Sequence, residues 1–188
     1  MFDKLPLVID IVPSHTEEVR NSYPIELGVA MDGNGLTFAK LVRPAESWTD
    51  WAKEEEKRHG CSRQKLLTDG ERPERIAREL NQLFLNKTLY SAHTERDQMQ
   101  LHKLFEEAGV TPRIKLNDIR SILSQEQRKN WEDNRARVIN LTRLSPSRAD
   151  TSALITRSTY LYTLAPKTFE NRFAFMRDQG YLDNMSAA

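Results

Sequence analysis

A single aspartate stands inside an apolar run near the start of the chain. Leu5 to Val12 reads Leu-Pro-Leu-Val-Ile-Asp-Ile-Val. A short run this apolar predicts a strand buried on both faces. Asp10 is costly there unless a counter-charge or a metal ion satisfies it. The run thus sets two expectations: a buried strand, and a polar site built on it.

The segments that follow supply the rest of the sheet and its covering layers. Pro13 to Ser22 reads as a polar loop. Tyr23 to Met31 and Leu36 to Val42 read as antiparallel strands, with Asp32-Gly33-Asn34-Gly35 as the turn between them, since Gly and Asn accept positive φ cheaply. Pro44 to Gly70 is irregular and holds Trp48, Trp51 and His59. Ile76, Leu80, Leu83 and Phe84 share one face of a helix over Pro73 to Leu85. Thr88 to Ala92 is a short strand. Leu101, Leu104, Phe105 and Ala108 mark a helix over Asp97 to Ala108, stopped by Gly109.

Arg113 to Leu116 reads as a strand, and Ile119, Ile122 and Leu123 as a short helix. Ser124 with Gln127 forms a capping-box pattern for a helix through Trp131 and Val138. Ala149 to Leu164 reads as a helix that ends before Pro166. Phe169, Phe173 and Met176 sit at helical spacing and predict a last helix that covers the sheet. The order predicts an α/β fold with a mixed sheet flanked by helices. Its expected core is Leu7, Ile9, Ile25, Leu27, Val29, Ile76, Leu80, Leu83, Leu101, Leu104 and Phe105.

Composition narrows the class. In 188 residues, 38% are hydrophobic and 29% charged, with 7 Gly and 8 Pro, which excludes collagen-like and disordered chains. One cysteine, Cys61, excludes a disulfide framework or a multi-cysteine zinc site and suits a reducing, cytoplasmic setting. No apolar run reaches the ~18 residues of a membrane helix, and the N-terminus lacks a signal-peptide pattern. Net charge is +1, yet Arg113 to Arg157 carries ten Lys and Arg against five Asp and Glu. Such a segment is either a solvated face or a surface for phosphates. The chain has no Gly-rich phosphate loop, no HExxH and no nucleotide-binding fingerprint.

Three aspartates stand out by position. Asp10 lies in the buried strand, Asp97 opens the helix after a short strand, and Asp150 opens a late helix. Ligands gather where helices begin beyond the carboxyl ends of parallel strands. Carboxylates meeting there suit Mg²⁺ or Mn²⁺. An Asp at a helix start is equally an N-cap.

Leu7-Val8-Ile9-Asp10-Ile11, Ser22-Tyr23-Pro24-Ile25-Glu26-Leu27-Gly28, Leu41-Val42-Arg43-Pro44, His59-Gly60-Cys61-Ser62, Leu89-Tyr90-Ser91 through Asp97, and Arg148-Ala149-Asp150 occur in that order. As an ordered set they resemble the DEDD (DnaQ-like) 3′–5′ exonucleases of the ribonuclease H-like superfamily. The resemblance spans Leu5 to Leu164. It implies a five-stranded mixed sheet with the first three strands antiparallel, a domain over 1–165, and a C-terminal helical extension of that domain over 166–188. It also implies two-metal phosphodiester hydrolysis, with Asp10 as the acid that bridges both metals and Asp97 and Asp150 as the third and fourth acids. His59 and Trp48 would lie near the 3′ end of single-stranded DNA or RNA. Trp48 and Trp51 are also natural packing residues for the arm. Arg148 and the basic segment would meet the phosphate backbone.

The sequence departs from the family pattern at three places. Val12 stands where motif I has Glu. Ser145 stands where motif III has its general-base His, and serine is no base near neutral pH without an activating partner. Ala92 stands where many relatives have an acid. Glu26, Glu95 and His93 are the substitutes that sequence proximity offers, and His15 lies in the loop after the first strand. The expectation is a nucleic-acid-binding exonuclease homologue whose hydrolysis is weak or lost. An active 3′–5′ exonuclease and a non-enzymatic protein-interaction domain are the competing readings.

Overall fold

The computed structural model describes residues 5–15, 21–31 and 37–178. The turn expected at Asp32 to Gly35 lies outside them, as does most of the loop after the first strand. Strand β1 is Leu7–Pro13, β2 Pro24–Ala30 and β3 Thr37–Leu41. The arm that follows is not wholly irregular: it contains the short helices α1, Glu56–His59, and α2, Arg63–Asp69. Ser62 caps α2 by accepting the Lys65 N–H. Then come α3, Pro73–Leu83, strand β4, Thr88–Ser91, and α4, Thr94–Glu107. Strand β5 is Lys115–Asp118, two residues later than the apolar pattern places it.

A 3₁₀ turn over Ile119–Ile122 leads to α5, Gln125–Lys129, whose Ser124–Gln127 capping box forms as expected. The chain breaks at Asn130, so α6, Trp131–Thr142, is a separate helix rather than a continuation. Helix α7, Ala149–Leu164, matches its predicted bounds, and Pro166 opens α8, Pro166–Asp178.

The strands form one five-stranded sheet in the order β3-β2-β1-β4-β5. β1, β2 and β3 pair antiparallel, while β4 joins β1 and β5 in parallel. β1 is therefore central, as its apolar run requires. Its residues alternate between the two faces. Ile9 and Ile11 pack with Ile76, Leu80, Leu101, Leu104 and Phe105 from α3 and α4. Val8 packs with Ala153, and Val12 with Ala149, both on α7. By that alternation Asp10 belongs to the α7 face.

The predicted core is buried, apart from two residues. Leu7 is only partly buried. Leu83 is 50% exposed, because Phe84 closes that end of α3 against the core instead. The last helix also differs from expectation. Phe169 and Met176 join a cluster with Leu154, Ile155, Leu161 and Val138, so α8 packs on α7 and does not lie on the sheet.

Gly28 fixes how close α7 comes to the sheet. It pairs across from Asp10 in the β1–β2 ladder. A Cβ at Gly28 would fall 2.3 Å from the Asp150 backbone nitrogen and 2.4 Å from the Ala149 carbonyl carbon. The absent side chain is thus what seats the first turn of α7 beside Asp10. Backbone atoms cannot rotate out of the way as a side chain would, so overpacking here is at the severe end. Gly28→Ala should lower unfolding stability by about 3 kcal/mol, the upper part of the usual overpacking range. Urea unfolding checks this, and a loss within error of zero would show that α7 sits further from the sheet.

Candidate functional site

β1 and β4 run parallel, and α4 begins just beyond the carboxyl end of β4. This places the first turn of α4 beside β1. Asp97, on that turn, is fully buried, and Asp10 is 7% exposed. The residue between them in space is Arg96. Its Nη2 lies 2.8 Å from Asp10 Oδ1 and 2.7 Å from Asp97 Oδ1. Its Nε also donates to Asp97 Oδ1 at 2.8 Å. The Ser91 hydroxyl donates to the other Asp97 oxygen at 2.6 Å and accepts the His93 N–H at 2.8 Å. The two buried carboxylates therefore share one guanidinium.

This setting raises the pKa of Asp97. Burial first, and the neighbouring Asp10 charge second, push Asp97 up to about 7, against the pull of Arg96 and Ser91.

The remaining acids are engaged separately. Glu26, 4% exposed on β2, stands directly opposite Val12 in the ladder. Its Oε1 accepts from Arg148 Nε at 2.8 Å, and its Oε2 accepts the Ala149 N–H at 3.3 Å. Burial raises its pKa, with Arg148 opposing. Arg148, assigned by the sequence to the nucleic-acid backbone, is thus first the partner of Glu26. Asp150 accepts the Thr151 N–H at 2.7 Å and lies 3.8 Å from Arg148 Nε.

Position 12, where the motif has Glu, is an apolar side chain packed on Tyr23, Cys61 and Ala149. Ser145 holds a turn before α7: its hydroxyl pairs with Ser147 Oγ at 2.8 Å and its carbonyl accepts the Thr151 hydroxyl at 2.5 Å. Neither contact gives it a base.

These donors do not suit a divalent metal pair. Asp10 and Asp97 both face a guanidinium. Among the described residues, no group of three or more His, Cys, Asp or Glu is placed to hold a metal ion.

Two adjoining clefts open on this face. One, of about 570 Å³, is lined by Asp10, Val12, Arg58, His59, His93, Arg96, Arg135, Ser147 and Ser152. The second, of about 1260 Å³, shares His59 and Ser147 and adds Glu26, Lys65, Arg143 and Arg148. Arg135, Arg143 and Arg148 come from the basic segment. Arg143 ends α6 at φ 56°, a left-handed conformation that strains a residue with a Cβ by roughly 1 kcal/mol. Other members of the segment are used internally. Arg120 pairs with Asp118 at 2.8 Å, and Arg157 is buried against the Pro6 and Met31 carbonyls.

His59 is 5% exposed and packs edge-on against Trp51, with ring centroids 5.5 Å apart. Its Nδ1 accepts the Cys61 N–H at 3.3 Å, so the neutral ring carries its proton on Nε2. Burial lowers its pKa and keeps it neutral. Trp48 stacks on Tyr23 at 5.2 Å and lines a different cleft, toward Lys103. His15 is not a free loop histidine: it is 7% exposed, with Nε2 3.4 Å from Asp50 Oδ1. Glu95 is exposed and does not line the cleft over Asp10, whereas His93 does. Cys61 is buried, and burial raises its thiol pKa.

Sequence reasoning weighed the neighbours of Asp97 and passed over Arg96. A signal for it existed. Once Val12 and Ser145 weaken a metal site, two buried aspartates need another cation, and Arg96 is the nearest one in sequence.

Comparison with known proteins shows the fold. No protein-family model matches the chain, and no curated protein does either. Solved structures do match. E. coli exonuclease I in complex with a dA16 oligonucleotide superposes with a TM-score of 0.62 at 13% identity, over 88% of this chain and 42% of that one. The zinc-ion-bound E. coli exonuclease I–ssDNA complex gives 0.61 at 15% identity, over 89% and 43%. A moderately thermophilic exonuclease I from Methylocaldum szegediense gives 0.60 at 14% identity, over 89% and 42%. The chain thus has the ribonuclease H-like fold of these exonucleases and spans less than half of their length. No helix among the described residues is long and apolar enough to cross a membrane.

The raised pKa of Asp97 gives a stability signature. Asp97 ionises near 3.8 when unfolded and near 7 when folded. The folded state therefore binds the extra proton between those values, and stability falls as pH rises through that window. In chelator-containing buffer, lowering pH from 7.5 to 4.5 should raise the melting temperature of the wild type relative to Asp97→Asn. Parallel profiles for the two proteins would show that no such proton is held.

Proposed function

We propose that this chain is a single-stranded-nucleic-acid-binding protein on an exonuclease fold, with phosphodiester hydrolysis weak or lost. The bridging of Asp10 and Asp97 by Arg96 carries this reading. A carboxylate hydrogen-bonded to a guanidinium is a poor ligand for a divalent ion, because the ion must displace a bound cation. Val12 and Ser145 act in the same direction. The first removes a ligand oxygen from motif I, and the second leaves motif III without a proton acceptor.

Binding is supported by charge and by shape. The clefts beside Asp10 gather Arg135, Arg143 and Lys65 around acids that already have arginine partners. Phosphate contacts from such groups release counterions, so affinity should fall steeply with salt. Neighbours of the same fold carry bound oligonucleotides. That makes DNA the first ligand to test, with RNA alongside it.

Glu26 supports the competing reading of an active 3′–5′ exonuclease. It lies across from Val12, and release from Arg148 would return a carboxylate to the motif I neighbourhood. Digestion of 5′-labelled single-stranded DNA and RNA with Mg²⁺ or Mn²⁺ separates the two. The wild type and Asp10→Ala should both leave the oligomers intact, and the wild type should retain them at low but not high salt. Stepwise shortening that stops on Asp10→Ala would establish the active enzyme. Intact oligomers with no retention at any salt would favour the protein-interaction reading instead.

A further inference from the structure

The cleft over Asp10 is lined by two residues that each carry a buried donor the protein itself does not use. Arg135 Nη1 and His59 Nε2 are both buried with no hydrogen-bond partner among the described residues. Both residues line this cleft. Leaving a buried donor unpaired costs about 1–3 kcal/mol, more when it is charged. Buried donors that the protein leaves unpaired are normally satisfied by a ligand or by ordered water.

The neutral His59 ring keeps a fixed N–H behind the wall of this cleft, and Arg135 carries a fork of N–H donors with a full positive charge. Ser147 and Ser152 line the same cleft and carry hydroxyls. The one acid facing it, Asp10, is already paired with Arg96 at 2.8 Å. The cleft therefore offers unmet donors and positive charge, and its acceptor is occupied. That is the chemistry of an oxyanion site, and Arg–phosphate forks are among the strongest such contacts.

We infer that this cleft is a metal-independent phosphate site, in which the Arg96 guanidinium replaces a divalent ion as the fixed cation and Arg135 with His59 holds the phosphate. The inference rests on the nucleic-acid reading above for the source of the phosphate, a backbone or terminal phosphate of a single strand. The neighbouring cleft, which shares His59 and Ser147, leaves room for the strand to continue past Lys65 and Arg143.

The test measures binding of a fluorescent dT₁₂ oligomer and of inorganic phosphate, each in EDTA and in Mg²⁺. The proteins are the wild type, Arg135→Gln, Arg135→Lys and His59→Phe. Circular dichroism checks each fold, and Arg135→Lys is the safeguard, since it keeps charge but loses the fork. The wild type should bind the oligomer equally well in EDTA and in Mg²⁺. Arg135→Gln should weaken it about tenfold or more, the loss of one charge-assisted hydrogen bond. Arg135→Lys should fall in between.

Oligomer binding that requires Mg²⁺, or that is untouched by Arg135→Gln and His59→Phe, would overturn the site while leaving the nucleic-acid reading intact. Phosphate binding that depends on Arg135, with no oligomer binding, would support the site and remove nucleic acid as its ligand. Binding of neither would overturn both.

Discussion

The Arg96 guanidinium, shared between Asp10 and Asp97, decides what the rest of this site can be. Two carboxylates within hydrogen-bond reach of one nitrogen repel each other, and burial deepens the penalty. A cation must sit with them, and here the chain supplies its own from the first turn of α4. Removing one partner of such a buried pair typically costs about 3–5 kcal/mol, because the remaining charge is left uncompensated. The arginine is therefore structural as well as chemical: it lets an aspartate occupy the central strand without a bound ion.

The same principle recurs one strand away. Glu26 is buried opposite Val12 and is held by Arg148 and by the amide at the start of α7. Gly28 lets that helix start approach the sheet next to Asp10. Each acid of the site thus meets a cation or an amide from the same chain. Arg135 and His59 are different, since their donors point to no partner within the described residues. The result is a face that engages its own acids and leaves donors over.

Much of the fold was legible because burial writes itself into pattern. The apolar run around Asp10 marked a strand buried on both faces, and Pro166 marked the end of α7. The capping box of Ser124 and Gln127 was local chemistry and formed as such. The misses are tertiary. Leu83 has helical spacing but lies at the end of α3, where Phe84 competes for the same space. Helix α8 has an apolar face, yet spacing alone cannot say whether a sheet or another helix receives it. In the site, the placement of Asp10 on a buried strand and of Asp97 and Asp150 in first helical turns could be read. The partners of the charges could not, because Arg148 meets Glu26 across 122 residues and Arg96 reaches Asp10 across 86.

The account turns on whether Arg96 excludes a divalent ion from the aspartates. Titration with Mn²⁺, followed by electron paramagnetic resonance, tests this directly on the wild type and on Arg96→Ala. The wild type should leave the free-ion signal unchanged, and Arg96→Ala, with its aspartates uncompensated, should deplete it. Depletion by the wild type that is abolished by Asp10→Ala would mean that the arginine yields to the metal, and the site would then be the two-metal centre of an exonuclease after all.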